Sequence, residues 1–378
     1  MRSRCLVTIA SLCLASCGPH DSVEDVRALL RIPERLQLPY IPSSNPPSQA
    51  KIELGRRLFH DPRLSANQTQ SCASCHLQQL AFTDGRTTSV GSTGEVLFRN
   101  SPTLQNSAYA ATFTWANNAL LTLEDQLVVP LTNDHPVELG ITDGSREEVL
   151  ARLETDPVLL PLFKAAFPGS GGGVTLQKVI FALATFCRTL VSADSPFDRH
   201  QAGDTSALSE QQKRGLALFN GEKFECFHCH GGTNLTVSYR DARTTPDTLT
   251  TPFFNNGLYN VGNTGAYPPY DQGLYDVTLN PRHRGLFRPP SLRNVALTAP
   301  YMHDGSIATL REVILHYAAG GRVITSGPYA GDGRLNPAKS GLIRGFQVDE
   351  EEIADVLAFL EALTDSTFLN DPSFDPAR

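Results

Sequence analysis

The segments Cys72-Ala-Ser-Cys75-His76 and Cys226-Phe-His-Cys229-His230 decide how this sequence is interpreted. In each, two cysteines are separated by two residues and a histidine follows at once. Each segment also follows a Gly-x-x-Leu-Phe stretch, at residues 55–59 and 215–219. This repetition predicts a duplicated domain, with a boundary in the polar segment near residues 200–208.

Cys-x-x-Cys-His is the attachment signature of c-type haem, in which two thiols bond to the haem vinyl groups. The adjacent histidine reaches the iron from one side. A zinc site or a thiol redox pair is the alternative interpretation, but two copies after similar helices are not expected by chance. The sequence therefore predicts two covalently bound haem c groups. The residues that would hold them are Cys72, Cys75 and His76 in the first motif and Cys226, Cys229 and His230 in the second.

The composition sets wider limits on function. A chain of 378 residues suggests about two domains, and 40% hydrophobic residues are enough for a sizeable core. The formal net charge is −7, which argues against a nucleic-acid-binding protein because such proteins carry a basic stripe. No apolar run approaches the roughly 18 residues that a membrane-spanning helix needs.

The first seventeen residues have the pattern of an export signal. Arg2 and Arg4 precede a short apolar run that ends in Leu14-Ala-Ser-Cys17. This ending resembles the lipobox of bacterial lipoproteins and predicts a signal peptide over 1–16 and lipidation of Cys17. Gly18 after the cysteine favours the periplasmic face of the outer membrane. The alternative is ordinary cleavage nearby with Cys17 unmodified. The Pro- and Ser-rich residues 17–50 are predicted to be a tether.

The remaining pattern is mostly helical. Residues 175–193 and those from 349 onward predict long helices, and no alternating run predicts a substantial sheet. Residues 231–290 predict a long ordered coil, which is unusual unless it wraps a large cofactor. Predicted helix starts are the capping boxes Ser145/Glu148, Ser209/Gln212 and Thr309/Glu312, and the N-cap Asp156 before Pro157.

Further motifs make the chain recognisable. It resembles the bacterial di-haem cytochrome c peroxidase and MauG family over nearly all of the mature sequence. The matching stretches are 99–103, 113–115, Gln126, Pro130, Glu138, 290–294 and 299–305. Residues 114–117 and 265–269 are similar to the MbnH-like branch. The resemblance implies a mainly α fold of two cytochrome c-like haem domains, 51–205 and 206–378, with long ordered loops.

The resemblance also implies roles for single residues. Hydrogen peroxide would react at the iron held by His76, with Glu138 as the acid–base group in a pocket with Gln126 and Pro130. Trp115, the one tryptophan, would carry electrons between the haems; otherwise it is a core aromatic. The residues that match a family calcium site between the haems are Asn100, Thr298 and Pro300.

For the first haem the important observation is an absence in the sequence. Ordinary peroxidases of the family carry a histidine about sixteen residues after the first motif, where it caps the resting iron. Residues 77–92 contain none. We therefore expect this iron to be open without prior reduction. His135 could serve as a cap instead, or be an ordinary loop residue beside Pro136.

The second haem has several candidate sixth ligands: Met302, His303, His316 and Tyr317. Tyr317 lies where ordinary family peroxidases have an axial Met and where MauG also has Tyr, so it is favoured. Met302 is the alternative, and Tyr317 could also be a plain helix aromatic. His316, its neighbour, would face elsewhere on a helix. Cys187 is predicted to be a buried free thiol in mid-helix.

Three functions follow from this reading. The favoured one is a MauG-like enzyme that uses hydrogen peroxide, stores two oxidising equivalents over both haems, and oxidises residues, tryptophan foremost, of a partner protein. The second is a peroxidase that reduces peroxide with electrons from a small cytochrome c or cupredoxin. The third is a non-enzymatic electron carrier. Tyr317 and the missing histidine favour the first over the second.

Overall fold

The structure is a computed structural model and describes residues 23–171 and 173–376. Within these residues, helices dominate and the only strands are β1 (Val323–Ile324) and β2 (Gly331–Asp332), paired antiparallel. The helices are α1 (Val23–Leu29), α2 (Gln49–His60), α3 (Leu123–Thr132), α4 (Arg146–Glu154), α5 (Leu159–Ala166), α6 (Leu176–Cys187), α7 (Pro196–Gln201), α8 (Glu210–Phe219), α9 (Phe227–His230), α10 (Tyr275–Thr278), α11 (Leu310–Ala318), α12 (Glu350–Glu361) and α13 (Ser366–Leu369). No helix among them is long and apolar enough to cross a membrane.

The two Gly-x-x-Leu-Phe stretches form equivalent helix crossings. On α2, a Cβ built on Gly55 would lie 2.1 Å from the carbonyl oxygen of Ala182 on α6. On α8, a Cβ on Gly215 would lie 1.9 Å from the carbonyl oxygen of Asp355 on α12. In both cases the backbones touch where the helices cross, so glycine is needed for close approach. The duplication seen in the sequence is therefore a duplicated helix pair.

Gly215→Ala and Gly55→Ala are each expected to destabilise the fold by about 1–3 kcal/mol, because the added methyl group overlaps a backbone carbonyl that cannot move alone. The better helix propensity of alanine offsets only part of this cost. Chemical unfolding followed by far-UV circular dichroism measures the effect. Gly341→Ala is the matched control, since nothing lies within 4 Å of its added Cβ. Equal stability of all three variants would contradict the crossing argument.

Two large apolar clusters accompany these crossings. The first gathers buried residues between Leu54 and Leu190, and the second gathers residues between Phe197 and Leu363. Near the C-terminus the chain returns to the first cluster, to which Phe368 and Phe374 belong. The domain limits 51–205 and 206–378 remain a prediction. With these limits, the C-terminal residues Phe368 and Phe374 of the second domain pack in the core of the first.

The predicted tether is wrong for the residues that the structure describes. Residues 23–50 include α1, and the side chains of Leu30, Ile32 and Leu36 are buried in a further apolar cluster. Asn45 is also buried and donates a hydrogen bond to Glu124 at 2.6 Å. The proline-rich composition did not indicate that the few apolar side chains of this segment would be buried together in a cluster. The signal peptide and Cys17 lie outside the described residues.

Helix starts and ends test the finer predictions. Both capping boxes at Ser209 and Thr309 form. The Ser145 box does not, because the Ser145 hydroxyl oxygen accepts instead from the backbone N–H of Thr142 at 3.0 Å. The Asp156 carboxylate accepts from the backbone N–H of Val158 and Leu159, so it caps a helix that begins only at Leu159.

The helix predicted over 175–193 ends at Cys187. Beyond it, the backbone N–H of Ser192 donates to Asn106 and that of Ala193 donates to Asp365, both within 2.8 Å. These buried side chains hold the chain in an irregular path that helix propensity alone does not predict. The coil over 231–290 is as expected, interrupted mainly by the single turn α10.

Candidate functional site

A single cavity of about 580 Å³ connects the two Cys-x-x-Cys-His segments. All four cysteines and both histidines of the motifs line it. The other predicted site residues that line the same cavity are Trp115, Gln126, Pro130, Glu138, Tyr317, Asn100, Thr298 and Pro300. The fold therefore brings together residues that are up to 245 positions apart in sequence, from Cys72 to Tyr317.

The first motif presents its histidine as an iron ligand. Cys72–Ser74 form a tight 3₁₀ turn that ends at Cys75. The Nδ1–H of His76 donates to the Phe82 carbonyl oxygen at 2.8 Å, which leaves Nε2 as the coordinating atom. Burial lowers the pKa of His76, and this keeps the imidazole neutral. A neutral ring with a fixed orientation is what a haem iron requires.

The second motif repeats this arrangement. His230 ends the short helix α9, and its Nδ1–H donates to the Pro290 carbonyl oxygen at 3.1 Å. Burial lowers the pKa of His230 to about 4, so the ring is neutral at physiological pH. The carbonyl comes from the Pro290-Ser-Leu-Arg-Asn stretch, which explains why that stretch accompanies the second motif.

The thiols argue against the alternatives to haem. Burial raises the pKa of Cys75 and Cys229 to about 11 and that of Cys226 to about 12. A thiol redox pair needs a lowered pKa, because the thiolate is the reactive form. Within the described residues no three His, Cys, Asp or Glu side chains gather as a zinc site requires. A large cavity with paired thiols and a tethered histidine at each end fits two haems.

Glu138 lies in this cavity beside the first motif. Burial raises the pKa of its carboxyl to about 7, and no charged partner contributes to that shift. No described residue forms a hydrogen bond with the carboxyl group. A carboxyl that titrates near neutral pH can both accept and return a proton.

Gln126 and Pro130 lie on α3 and complete this part of the wall. The side-chain oxygen of Gln126 is buried and has no hydrogen-bond partner in the described structure. Pro130 lies inside α3, and it cannot donate the helical hydrogen bond to the Gln126 carbonyl. A buried acceptor without a donor indicates that a ligand supplies the missing hydrogen bond.

Trp115 is held rigidly in the cavity wall. Its indole Nε1–H donates to the Asn100 carbonyl oxygen at 2.8 Å, and its own carbonyl accepts from the Arg288 N–H at 2.8 Å. The Arg288 Nε–H donates to the Thr114 carbonyl oxygen at 3.1 Å. Asn100 and Arg288 thus hold Trp115 through backbone hydrogen bonds. This suits a side chain that must keep one orientation.

Arg288 was missed in the sequence analysis. It lines the cavity, and burial alone lowers the pKa of its guanidinium to about 10. No carboxylate of the described residues pairs with it, so an anionic group must balance its charge when the cavity is filled. Haem carboxylates have this charge. The one feature of the sequence that could have pointed to Arg288 is its position immediately before the Pro289-Pro290 pair.

Tyr317 and Met302 both line the cavity, and Asn256 lies between them. The Asn256 amide donates to the Met302 sulfur at 3.4 Å. Burial raises the pKa of Tyr317 to about 12, and a hydrogen bond from Asn256 partly opposes this. Asn256 is a second residue that the sequence analysis did not identify.

The histidine candidates for the second haem are engaged elsewhere. The His303 ring is stacked on Phe287 at 3.6 Å, and its Nε2 lies 3.7 Å from an Asp271 oxygen. His316 does not line the cavity, and its Nε2 lies 3.0 Å from the Asn256 carbonyl oxygen. The expectation that His316 faces away from the site is confirmed.

His135 and Cys187 have simpler positions. The His135 side chain is 72% exposed, lies outside the cavity wall, and contacts Glu95 at 2.8 Å through Nδ1. Cys187 is a buried free thiol, as predicted, although it is the last residue of α6 rather than a mid-helix residue. His135 therefore lies outside the site, whereas Cys187 lines the cavity.

Comparison with known proteins places this site in a family. The family model described as di-haem cytochrome c peroxidase matches residues 49–206. The methylamine utilization protein MauG of Methylorubrum extorquens is 36% identical over 338 residues, which cover 89% of this chain and 84% of that protein. This chain belongs to the di-haem cytochrome c peroxidase and MauG family. It is also similar to cytochrome c551 peroxidase of Pseudomonas aeruginosa, at 33% identity over 83% of this chain and 85% of that protein.

Solved structures agree with the assignment. A MauG-like protein associated with microbial copper homeostasis superimposes with a TM-score of 0.89 and 48% identity, covering 91% of this chain and 98% of that chain. The di-haem peroxidase BthA of Burkholderia thailandensis has the same fold, with a TM-score of 0.63 at 22% identity over 88% of this chain and 91% of that chain. The mainly α di-haem fold predicted from the sequence is confirmed.

Membership of the family fixes the class of chemistry. The protein is a peroxidase-type oxidoreductase that uses hydrogen peroxide, holds two haems, and exchanges electrons with a protein partner or donor. Members of the family are periplasmic. The hypothesis of a non-enzymatic electron carrier is therefore wrong. The relatives include both MauG proteins and cytochrome c peroxidases, and the choice between these two activities depends on the residues of this chain.

Proposed function

We propose that this di-haem peroxidase uses hydrogen peroxide to oxidise side chains, tryptophan foremost, of a periplasmic partner protein. The observation that carries the proposal is Tyr317, which lines the cavity where ordinary peroxidases of the family have methionine. The absence of histidine from residues 77–92 agrees with it. The 48% identity to a MauG-like protein supports the same branch.

The haems would be held by the four motif cysteines and by His76, His230 and Tyr317, and together they supply iron for peroxide cleavage and for storage of two oxidising equivalents. Glu138 takes a proton from one peroxide oxygen and returns it to the other, because its carboxyl titrates near neutral pH. The orphaned oxygen of Gln126 orients the peroxide by accepting its hydrogen bond. Pro130 forms an unreactive wall beside them.

The remaining residues connect and stabilise the two halves. Trp115 passes electrons between them, held by Asn100 and Arg288. Asn100, Thr298 and Pro300 supply oxygen atoms for a calcium ion between the haems. The Asn100 amide nitrogen donates to the Arg86 carbonyl at 2.7 Å, so its side-chain oxygen is the atom available to the ion.

The N-terminus sets the location that we propose. Cleavage after residue 16 would leave Cys17 as a lipidated N-terminus. The protein would then be a lipoprotein on the periplasmic face of the outer membrane, attached through the lipid alone. The first described helix, α1, begins six residues after Cys17.

The alternative function is a cytochrome c peroxidase that reduces peroxide to water with electrons from a small cytochrome c or cupredoxin. Met302 favours it, because its sulfur also lines the cavity and could serve the second iron. In that arrangement the sulfur would have to leave its contact with Asn256.

The proposal is tested by adding one equivalent of peroxide to the fully oxidised protein. We expect a reaction without prior reduction, with absorption and Mössbauer changes at both irons rather than one. His135→Gln is the control and is expected to react in the same way, since His135 is on the surface. Two six-coordinate low-spin haems that stay inert until half-reduced would refute the proposal and implicate His135 as a cap.

A further inference from the structure

Aromatic rings form an unbroken series that begins at the cavity wall. Phe287 and His303 both line the cavity and stack on each other, with centroids 3.6 Å apart. Tyr267, which is almost fully buried, lies behind them with its ring centroid 5.8 Å from that of Phe287. Trp115 belongs to the same apolar cluster. The series therefore starts in the same apolar cluster as the residue that we assign to electron transfer.

From Tyr267 the series continues to the protein surface. Tyr259 lies 5.5 Å from Tyr267, Tyr329 lies 6.2 Å from Tyr259, and Tyr270 lies 5.9 Å from Tyr329. These centroid separations are all within the range of direct aromatic contact. Tyr270 is 44% exposed. We call Tyr267, Tyr259, Tyr329 and Tyr270 the tyrosine ladder.

The buried hydroxyl groups of the ladder both have hydrogen-bond acceptors, and that of Tyr259 faces a carboxylate that can take its proton. The Tyr259 hydroxyl donates to an Asp304 carboxylate oxygen at 2.6 Å, and the Tyr267 hydroxyl donates to the Asn255 side-chain oxygen at 2.9 Å. Tyrosine is oxidised at accessible potentials only when its hydroxyl proton leaves with the electron. The Arg322 guanidinium lies 4.7 Å from the Tyr259 ring centroid and disfavours a positively charged ring. Proton transfer to Asp304 is therefore the route by which Tyr259 can be oxidised.

We propose that the tyrosine ladder conducts electrons inward from the surface at Tyr270 to the haem cavity. This inference rests on the proposed function and names the surface at which the partner protein is oxidised. The donor at Tyr270 is an oxidisable aromatic side chain of the partner protein. Such a route must connect the cavity with the protein surface. This series does so, from Phe287 in the cavity wall to the exposed Tyr270.

The electron balance of the route is simple. Reduction of one hydrogen peroxide to two waters takes up two electrons and two protons. Each electron that leaves Tyr259 inward is accompanied by a shift of its hydroxyl proton to Asp304, and both are restored when Tyr329 supplies the next electron. Tyr270 is in turn re-reduced by the partner side chain, which is the group finally oxidised and which gives up two electrons and two protons for each peroxide. Two such electron transfers along the ladder reduce one hydrogen peroxide.

The chain offers a matched control pair. Tyr109 and Tyr239 are stacked with centroids 5.7 Å apart, and the Tyr239 hydroxyl donates to Asp241 at 3.3 Å. Neither residue lines the cavity. They reproduce the chemistry of a ladder step without its connection to the haem cavity.

The test uses the holoenzyme and hydrogen peroxide without any partner, so that oxidising equivalents reaching the surface mark the protein itself. Peptide mass spectrometry measures oxidation of Tyr270 and Tyr329 in the wild type, Tyr259→Phe and Tyr239→Phe. We expect marking of Tyr270 to fall at least tenfold in Tyr259→Phe, with more oxidation retained at Tyr267 and Trp115. Tyr239→Phe should match the wild type in both marking and peroxide consumption. Freeze-quench electron paramagnetic resonance should show a weaker tyrosyl signal in Tyr259→Phe.

Tyr270→Phe extends the test with little risk to folding, because Tyr270 is 44% exposed and phenylalanine keeps its ring. Marking should then stop at Tyr329. Equal marking of Tyr270 in the wild type and Tyr259→Phe would overturn the ladder, whatever the partner does. A wild type that marks Tyr270 but never oxidises a tryptophan-bearing partner would support the ladder and count against the proposed function. If adding a reduced small cytochrome were enough to suppress the marking of Tyr270, the ladder would carry electrons for ordinary peroxidase turnover. The proposal that a partner side chain is the donor would then be overturned.

Discussion

Glu138→Gln is expected to slow peroxide consumption by about 10²–10⁴-fold, the usual contribution of a positioned acid–base group. The amide keeps the size of the side chain but can neither accept nor return the peroxide proton. Haem content and the spectrum of the resting protein should not change, because no motif residue is altered. Stopped-flow measurement of the first peroxide reaction checks the rate. Glu147→Gln is the control, since it is the same substitution at a residue that lies on the exposed side of α4.

The pH dependence should separate a proton-transfer role from a packing role. The Glu138 carboxyl must be ionised to take a proton from peroxide, so the wild-type rate should rise with pH and level off above its pKa of about 7. The inflection should vanish in Glu138→Gln. A variant that is slow but keeps the inflection would show that another group moves the proton.

The same substitution should not weaken the fold. Burial raises the pKa of Glu138 from its ordinary 4.5 to about 7, so the folded protein binds this proton more tightly than the unfolded chain does. That contribution to stability is complete below about pH 4.5 and is lost as pH rises through 7. Glutamine is neutral throughout, so the variant is expected to be at least as stable as the wild type above pH 7. Loss of rate without loss of stability identifies a functional carboxyl.

The two haems and the duplication were predictable because they depend on short local patterns. Two Cys-x-x-Cys-His segments define attachment chemistry by themselves, and the glycines at 55 and 215 mark crossings whose close approach the structure shows. The grouping of Trp115 and Glu138 around one cavity was also expected, but only through the resemblance to the family. No periodicity in this sequence would have placed them there.

Other features depend on contacts that are remote in sequence. Arg288 is distinctive because it is buried without a carboxylate partner, and burial is not visible in a linear pattern. Asn256 matters because it lies between Met302 and Tyr317. The N-terminal segment resembled a tether by composition, yet its few apolar side chains are buried against residues such as Tyr109. In each case the three-dimensional environment, not residue type, determines the role.

Tyr317→Phe is expected to lower partner oxidation by at least an order of magnitude while reducing peroxide consumption far less. If the Tyr317 phenolate binds the second iron, it stabilises the higher oxidation state because it is anionic. Phenylalanine removes that charge and opens a face, so the midpoint potential of the second haem should rise. The variant should still react with peroxide at the His76 side, where Glu138 and Gln126 are unchanged. It should fail to share the second oxidising equivalent.

Met302→Leu is the matched control for Tyr317→Phe, because both side chains line the cavity and both lie beside Asn256. Leucine nearly conserves the volume of methionine, so we expect a packing effect below about 1.5 kcal/mol and no shift in potential. Spectroelectrochemistry and near-infrared absorption measure both variants. If Met302→Leu abolished a sulfur-to-iron band while Tyr317→Phe changed nothing, methionine would be the ligand. The second haem would then favour the reduced state, and the chain would act as an ordinary cytochrome c peroxidase.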